Sequence, residues 1–170
     1  MTQIGGIWFY ADGGKSEKRV SDSYTEHVEI VMGSHLNGYG RLFGGQLLQW
    51  LDVMFGVVAR RHAGCGVTTA SIDHLEFLAP VYADDLVVLI GRVTWVGRCS
   101  MEVRVDTYAE AADGTRKPVN VAYAVMVALD ANEKPTPAPE LILETDEERR
   151  EFAAGAARQA ARKAARGQTK

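Results

Sequence analysis

The strongest constraint on the fold is a run of apolar residues in the middle of the chain, at positions 47–59. The run has about 13 residues and is interrupted by Gln49 and Asp52, so it falls well short of the ~20 apolar residues that cross a bilayer. Its apolar side chains cover nearly every side of a helix, which is typical of a helix enclosed by protein. We therefore predict a buried helix over residues 45–62 that stops at Gly64.

One stripe of that helix is polar. Its members recur at steps of three and four residues: Gln46, Gln49, Asp52 and Gly56. A carboxylate placed two turns into an apolar helix is costly unless it is paired. Asp52 is therefore either a catalytic base or a structural group, held by a neighbouring backbone or by Arg60 or Arg61 of another chain.

The segments after the helix have the composition of strands. Branched and aromatic residues dominate four segments: 67–78, 85–96, 101–110 and 119–129. Residues 101–110 also alternate between apolar and polar. Asp113 and Gly114 predict a type I′ hairpin turn, and Gly97 and Arg98 predict a second tight turn. With an earlier strand near residues 25–32, this order predicts an α+β fold in which a curved antiparallel sheet wraps one helix.

Composition excludes several classes of protein. The chain has 170 residues, 46% of them hydrophobic, and a net charge of −3, which is ordinary for a single globular domain and gives no general attraction to nucleic acid. With only Cys65 and Cys99, and a start unlike a secretory signal, we expect a reducing, cytoplasmic setting and no membrane insertion. The histidines at positions 35, 62 and 74 have no ligand spacing, so we expect no metal and no cofactor.

The two ends of the chain lie outside this core. Residues 1–20 contain an isolated aromatic cluster at 7–10 and form either a docking arm or a disordered leader. Residues 144–170 begin with Thr145 and Glu148, a plausible capping box, and continue as a basic helix rich in alanine. Because that helix has few apolar residues, we expect a solvated or loosely docked appendage, with an oligomer contact as the alternative.

The loop that leads into the buried helix is rich in glycine. Without a Cβ, Gly44 and Gly45 let a ligand approach the first helical turn, where free backbone N–H groups and the positive end of the dipole can hold a carbonyl or an oxyanion. A purely structural role for these two glycines is the alternative.

Several motifs fall in a familiar order: Asn37, Gly40, Leu42-Phe43-Gly44-Gly45, Trp50-Leu51-Asp52, Ala59-Arg60-Arg61-His62, Val67-Thr68-Thr69-Ala70, Phe77-Leu78-Ala79-Pro80-Val81, Asp85 and Val96-Gly97-Arg98-Cys99-Ser100-Met101-Glu102-Val103. Together they resemble the hotdog-fold acyl-CoA thioesterases of the cytosolic acyl-CoA hydrolase and YciA-like branch, over about residues 20–145. The resemblance implies a hotdog domain over residues 21–143 and a homodimer with two interfacial sites, assembled further into a trimer of dimers. It also implies hydrolysis of acyl-CoA to a fatty acid and coenzyme A.

The resemblance implies site residues as well. Asp52 matches the catalytic carboxylate, as base or nucleophile, and Asn37 its polar partner, while Gly44 and Gly45 would polarise the thioester carbonyl. The implied contacts to the acyl-CoA substrate are Gly97, Arg98, Ser100, Phe43 and Arg60, with Arg98 available to the phosphates. Two residues depart from the family pattern. Cys99 stands where serine or threonine is expected, and Asp84 where glycine often precedes Asp85.

Two alternatives to hydrolysis remain. A hotdog dehydratase is expected to pair a histidine with an acid on the long helix, so a contact between His35 and Asp52 would favour dehydration of a hydroxyacyl thioester. A non-catalytic regulator that binds acyl-CoA is the other alternative, although nothing resembling a DNA-binding module accompanies the domain. The length of the acyl chain is not set by the sequence.

Overall fold

The computed structural model describes residues 2–4, 7–9, 17–73 and 75–167, and the side chains of 17–73 and 75–165. The described residues form nine strands and two α-helices: β1 Thr2–Ile4, β2 Ile7–Phe9, β3 Glu17–Arg19, β4 Thr25–Ile30, α1 Gly44–Ala63, β5 Gly66–Ile72, β6 Leu86–Val96, β7 Ser100–Glu110, β8 Arg116–Leu129, β9 Glu140–Ile142 and α2 Asp146–Gly167. None of the helices in these ranges is long and apolar enough to cross a membrane.

A five-stranded sheet curls around α1. Its strand order is β4–β6–β7–β8–β5, and all neighbours are antiparallel. The helix packs on the inner face through fully buried side chains such as Leu47, Leu51, Phe55 and Val58. This arrangement confirms the predicted α+β hotdog fold.

The ends of the long helix match the prediction closely, but its burial does not. α1 exceeds the predicted range by one residue at each end and stops at Gly64, whose φ of 69° places it in the left-handed region that glycine favours. It is not enclosed on all sides, because Leu48, Val53 and Val57 are exposed beside the polar stripe, Val53 by 60%. In a single chain, therefore, the helix is not fully buried, and that prediction was wrong.

Strand ends differ from the prediction at one edge of the sheet. The strand predicted to reach residue 78 ends at Ile72. Beyond it, the Asp73 N–H still donates to Tyr123 O of β8, and the Leu78 N–H donates to Val119 O, both at 2.8 Å. β8 begins at Arg116 rather than at 119, because its first residues pair with the end of β7, Arg116 opposite Glu110.

The connection between β7 and β8 corrects a second prediction. Of its turn residues only Gly114 has a positive φ, 82°, so the two positive-φ positions of a type I′ turn are not present. The Gly114 N–H donates to Ala111 O, and Asp113 accepts the Thr115 N–H through its side chain at 2.9 Å. The result is a three-residue loop with glycine in the left-handed position. The hairpin predicted at Gly97 is confirmed.

The C-terminal helix α2 is not the loosely docked appendage that its composition suggested. Arg158 and Arg162 reach from α2 to Glu102, a fully buried carboxylate on the outer face of β7. Arg104 of β7 pairs with Glu151 of α2 at 2.7 Å. The helix is thus held by ion pairs rather than by an apolar stripe, which explains why its pattern looked solvated.

The N-terminus of α2 is capped by side chains, as the sequence predicted. The capping box is confirmed, since Glu148 N–H donates to Thr145 Oγ1 at 3.1 Å and Thr145 N–H donates to Glu148 Oε2 at 3.0 Å. β1 pairs with β2, and β3 pairs with β9 in parallel. Half of the proposed arm, residues 1, 5–6 and 10–16, lies outside the described residues, and the domain boundaries at 20 and 143 stay predictions.

Candidate active site

The start of α1 carries two free amides. Phe43 is the N-terminal cap, and its carbonyl accepts the N–H groups of Gln46 and Leu47 at 2.9 and 3.2 Å. The amides of Gly44 and Gly45 donate to no acceptor among the described residues. They lie at the positive end of a 20-residue helix, where they can stabilise a developing negative charge on a carbonyl oxygen.

Two aromatic rings pack closely on these glycines. A Cβ on Gly45 would lie 2.5 Å from Cε1 of the Phe43 ring, which folds back over the first turn. A Cβ on Gly44 would lie 3.4 Å from Cζ of Phe77. A side chain on Gly45 would displace the exposed Phe43 ring, whereas one on Gly44 would make ordinary contact with Phe77. The geometry therefore agrees with both interpretations, since the missing side chains also leave the amides open.

Asn37 lies in the loop before the helix and is rigidly held. Its Oδ1 accepts the N–H groups of Tyr39 and Arg41 at 2.9 and 3.2 Å. Because the oxygen is committed to the backbone, Nδ2 points away from these amides, and it donates to no acceptor in the described part of the chain. Asn37 therefore offers a fixed donor to a carbonyl oxygen or a water.

A cavity of about 310 Å³ adjoins Asn37. Arg41 also borders it, and the rest of its lining is largely apolar, including Leu42, Leu47, Phe77, Leu78, Val81 and Val119. An apolar cavity beside a polar donor is suited to the alkyl part of a ligand whose polar end is held by Asn37. Asp52 does not border this cavity.

Asp52 is held by a residue that the sequence did not single out. Thr69 of β5 donates a hydrogen bond to Asp52 Oδ1 at 3.0 Å. The other oxygen, Oδ2, accepts no hydrogen bond from the described residues, and the carboxylate is exposed on the face of α1. Within the chain neither Arg60 nor Arg61 pairs with it, because Arg61 binds Tyr24 O and Thr25 Oγ1 instead.

One chain does not bring the predicted catalytic groups together. Gly45 and Asp52 are seven positions apart in one helix, or about 10 Å along its axis. The attacking group and the oxyanion donors must meet on one carbonyl, so this spacing is long for a site built by a single chain. No described contact joins Asn37 to Asp52.

The predicted substrate contacts lie at opposite ends of α1. Arg98 and Ser100 lie in the turn between β6 and β7, at the sheet end where α1 finishes and where Arg60 is exposed. Phe43 lies at the opposite end of α1, about 25 Å away along the helix. Arg98 forms no ion pair among the described residues, so its charge is free for a ligand.

The histidines do not form an acid–base pair with Asp52 in this chain. His35 Nδ1 accepts the Met32 N–H at 3.2 Å, and its ring packs edge-on against Trp50 at 5.1 Å. His62 is fully buried with Nε2 at 2.9 Å from Pro139 O, and burial lowers the pKa of its imidazole. His74 lies outside the described residues. In the described ranges no group of His, Cys, Asp and Glu could hold a metal ion.

Comparison with known proteins agrees with this architecture. A sequence model of the thioesterase superfamily matches residues 39–113. YkhA of Bacillus subtilis, an uncharacterized acyl-CoA thioester hydrolase, is 41% identical over 113 residues, which are 66% of this chain and 66% of that protein. The cytosolic acyl coenzyme A thioester hydrolase of Rattus norvegicus is 31% identical over 150 residues, or 86% of this chain and 39% of the rat protein. The chain thus spans about two thirds of YkhA and two fifths of the rat protein.

Solved structures match over nearly their whole length. The crystal structure of an apo-hexameric acyl-CoA thioesterase superposes with a TM-score of 0.83 at 34% identity, covering 86% of this chain and 95% of that one. The acyl-CoA hydrolase of Staphylococcus aureus with butyryl coenzyme A, coenzyme A and coenzyme A disulfide gives 0.84 at 30% identity, covering 90% and 94%. The fold and these similarities identify a hotdog-fold thioesterase. Within the thioesterase superfamily, this chain belongs to the acyl-CoA thioester hydrolases.

The Staphylococcus aureus hydrolase has also been solved as three alanine variants, which replace an asparagine, an aspartate and a threonine. In that protein the asparagine precedes the aspartate by 15 residues, and the threonine follows it by 17. Asn37, Asp52 and Thr69 have the same two spacings here. Thr69 is therefore a candidate site residue that sequence reasoning missed, although it stands inside one of the recognised motifs.

Proposed function

We propose that this chain hydrolyses the thioester bond of acyl-CoA, giving a free fatty acid and coenzyme A, as a homodimer with two shared sites. Each site combines Asn37 and the α1 start of one subunit with Asp52 and Thr69 of the other. The observation that carries the proposal is the Thr69–Asp52 hydrogen bond, which holds an exposed carboxylate in place with one oxygen free.

Asp52 supplies the group that starts the reaction. Acting as a base, its free Oδ2 takes a proton from a water whose oxygen attacks the thioester carbon. The C–S bond then breaks, and the proton passes to the departing thiolate of coenzyme A. Acting as a nucleophile, the same oxygen would displace the coenzyme A thiolate and form an acyl anhydride, and water would then hydrolyse the anhydride to the fatty acid and the free carboxylate. Thr69 keeps the carboxylate oriented in either case.

The loop and helix start stabilise the charge that develops on the carbonyl oxygen. The amides of Gly44 and Gly45 and the Nδ2 group of Asn37 are donors that lack acceptors among the described residues, so they need no rearrangement to bind an oxyanion. The cavity beside Asn37 would take the acyl chain, because its lining is largely apolar and Phe77 and Leu78 border it.

The exposed face of α1 supports a dimer. Leu48, Val53 and Val57 surround Asp52 and would be covered by the same face of a second copy. β5 ends the sheet, and no described strand pairs with its outer edge, so a second β5 can extend the sheet. The hexameric relatives support a further step, in which three such dimers assemble.

Coenzyme A would bind at the turn between β6 and β7. Arg98 offers an uncommitted guanidinium to the phosphates, Ser100 offers a hydroxyl, and Gly97 shapes the turn. Arg60, at the same end of the sheet, adds a second exposed positive charge, and Phe43 of the other subunit would contact the acyl end. A cytoplasmic location is part of the proposal, supported by the rat relative's description as cytosolic.

One assay tests the reaction class. Purified protein is incubated with acyl-CoA substrates from acetyl to palmitoyl, and the free thiol of coenzyme A is followed with a thiol reagent. We expect thiol release that scales with enzyme concentration and favours a limited range of chain lengths. Tight acyl-CoA binding without thiol release would contradict hydrolysis and would favour the non-catalytic regulator.

A further inference from the structure

Trp95 occupies an unusual position between α2 and the turn that follows β6. A bulge between Val93 and Trp95 shifts the register of β6 against β7, so that Trp95 lies directly opposite Glu102. Its side chain is half-buried on the outer face of the sheet, under α2. It belongs to neither the core cluster around α1 nor the proposed catalytic groups.

One end of Trp95 packs against the backbone of α2. A Cβ on Gly155 would lie 2.7 Å from Cβ of Trp95 and 2.9 Å from Oε1 of Glu102. Real Cβ atoms do not approach other atoms so closely, so only glycine lets α2 dock at this distance. Glycine is unfavourable in a helix interior, and its presence at a buried helical position indicates a packing requirement.

The other end of the same side chain packs against the turn. A Cβ on Gly97 would lie 2.6 Å from Cη2 and 3.3 Å from Cζ2 of the Trp95 ring. The indole therefore fills the whole distance between two glycines, Gly155 in α2 and Gly97 in the turn. Neither contact leaves room for a methyl group.

The opposite side of the turn is held by hydrogen bonds. The Ala138 N–H donates to Arg98 O at 3.0 Å, and the Ala128 N–H donates to Cys99 O at 2.9 Å. The Gly97 N–H also donates to Ser100 O at 2.7 Å, which closes the turn itself. With the backbone of the turn held in this way, the ring of Trp95 packs against Gly97 from the side of α2.

We propose that Trp95 is a positioning residue that transmits the docking of α2 to the turn at Gly97 and so sets the affinity for the coenzyme A part of the substrate. The inference rests on the proposed coenzyme A site at that turn. Trp95 acts only through the turn, so its effect falls on binding in both the ground state and the transition state, and not on the chemical step at Asp52.

The first test displaces Trp95 from the α2 side. In Gly155→Ala the added methyl pushes on Cβ of Trp95, and we expect the Kd for coenzyme A, measured by titration calorimetry, to rise at least about threefold. The KM for acyl-CoA should rise by a similar factor, while kcat stays within about twofold. The matched control is Ala156→Ser, which also adds one heavy atom to α2 but at an exposed position, and leaves both constants unchanged.

The second test works from the turn and remains decisive if Gly155→Ala fails to fold. Gly97→Ala places a methyl against the far ring atoms of Trp95 and should weaken coenzyme A binding. Trp95→Phe removes Cζ2 and Cη2, so the double variant Gly97→Ala with Trp95→Phe should bind coenzyme A more tightly than Gly97→Ala alone. Circular dichroism and thermal melts confirm that each variant is folded.

The outcomes separate the two proposals. If wild-type protein binds coenzyme A and folded Gly155→Ala binds it equally well, or if Trp95→Phe gives no rescue, the role of Trp95 is overturned while the proposed hydrolase stands. A loss confined to kcat would also overturn it, because a binding role cannot produce that result. If wild-type protein neither binds coenzyme A nor releases thiol from acyl-CoA, both proposals fail together.

Discussion

Thr69 Oγ1 and Asp52 Oδ1 are joined by a hydrogen bond of 3.0 Å that connects the edge strand β5 to the face of α1. The bond satisfies one carboxylate oxygen and leaves the other open on an exposed helix face. It also fixes the rotamer of Asp52, so the group is oriented before any ligand arrives. Pre-orientation of this kind is what a base or a nucleophile requires.

Replacing Asp52 tests its assignment directly. Asp52→Asn keeps the shape and the Thr69 hydrogen bond but removes the basic oxygen, so we expect kcat to fall at least ~100-fold with the fold intact. Thr69→Val should cost less, about tenfold, because it removes one hydrogen bond to a carboxylate that is still present. Steady-state kinetics with a thiol reagent provide the measurement. Near-normal turnover of Asp52→Asn would rule out its catalytic role.

Mixed dimers test whether the site is shared. A dimer of one Asn37→Ala subunit and one Asp52→Asn subunit has one site with both lesions and one site with none, if each site takes its two residues from different subunits. After denaturation and random reassembly in equal amounts, about a quarter of wild-type activity should return by this symmetry. Mass spectrometry confirms that mixed dimers form. No recovery in confirmed mixed dimers would mean that both residues serve the same site from one chain.

Charge at the β6–β7 turn is tested with salt. Arg98→Ala should raise the KM for acyl-CoA more than it lowers kcat, and the difference from wild type should shrink as salt is added, because ions screen an exposed charge. Arg150→Ala removes an exposed arginine from α2 and serves as the control with unchanged KM. A salt-independent defect in kcat would instead identify Arg98 as a structural turn residue.

The backbone at Asp84 predicts a stabilising substitution. Asp84 has a φ of 67°, in the left-handed region, and glycine is the residue that adopts this region without strain. Asp84→Gly should therefore raise the free energy of unfolding by about 0.5–1 kcal/mol, measured by urea denaturation. Ala83→Gly, at a neighbouring position with ordinary φ, is the matched control and should destabilise. Equal effects of the two substitutions would contradict this account.

The ion pairs under α2 predict a dependence of stability on pH. Burial alone would raise the pKa of Glu102, but hydrogen bonds from Arg158, Arg162 and Thr94 outweigh it and hold that pKa below its usual value. A carboxyl with a lower pKa in the folded state contributes stability above the unfolded value, about 4.3, and loses it as the pH falls through the folded value. We expect Tm to fall in this acidic range.

A variant isolates the contribution of this carboxylate. Glu102→Gln removes the anion that Arg158 and Arg162 share, although Arg158 keeps Glu151 and Arg162 keeps Asp73 as a partner. The loss of these charge-assisted hydrogen bonds should cost about 2 kcal/mol at neutral pH. It should also flatten the acid dependence of Tm. Glu147→Gln, on the exposed side of α2, is the control and should leave both unchanged. A Glu102→Gln protein as stable as wild type at neutral pH would show that α2 docks without the ion pairs.

The amino-acid sequence by itself determined the elements of this fold. The apolar run and Gly64 located α1 to within a residue at each end, and Thr145 with Glu148 marked the start of α2. Alternation marked β7, and the order of elements indicated a sheet wrapped around a helix. These features follow from local signals, since helix periodicity, capping and strand alternation act between residues close in the chain.

The tertiary structure alone decided which distant side chains meet. Thr69 and Asp52 are 17 positions apart, and Arg158 and Glu102 are 56 apart. Such pairs depend on strand register, on bulges such as those at Thr69 and Trp95, and on how closely a helix can approach a sheet. None of these is encoded in the pattern of a single segment. The same reason explains the docking of α2. Its composition predicts a solvated helix, but the charges that hold it come from a strand far away in the chain.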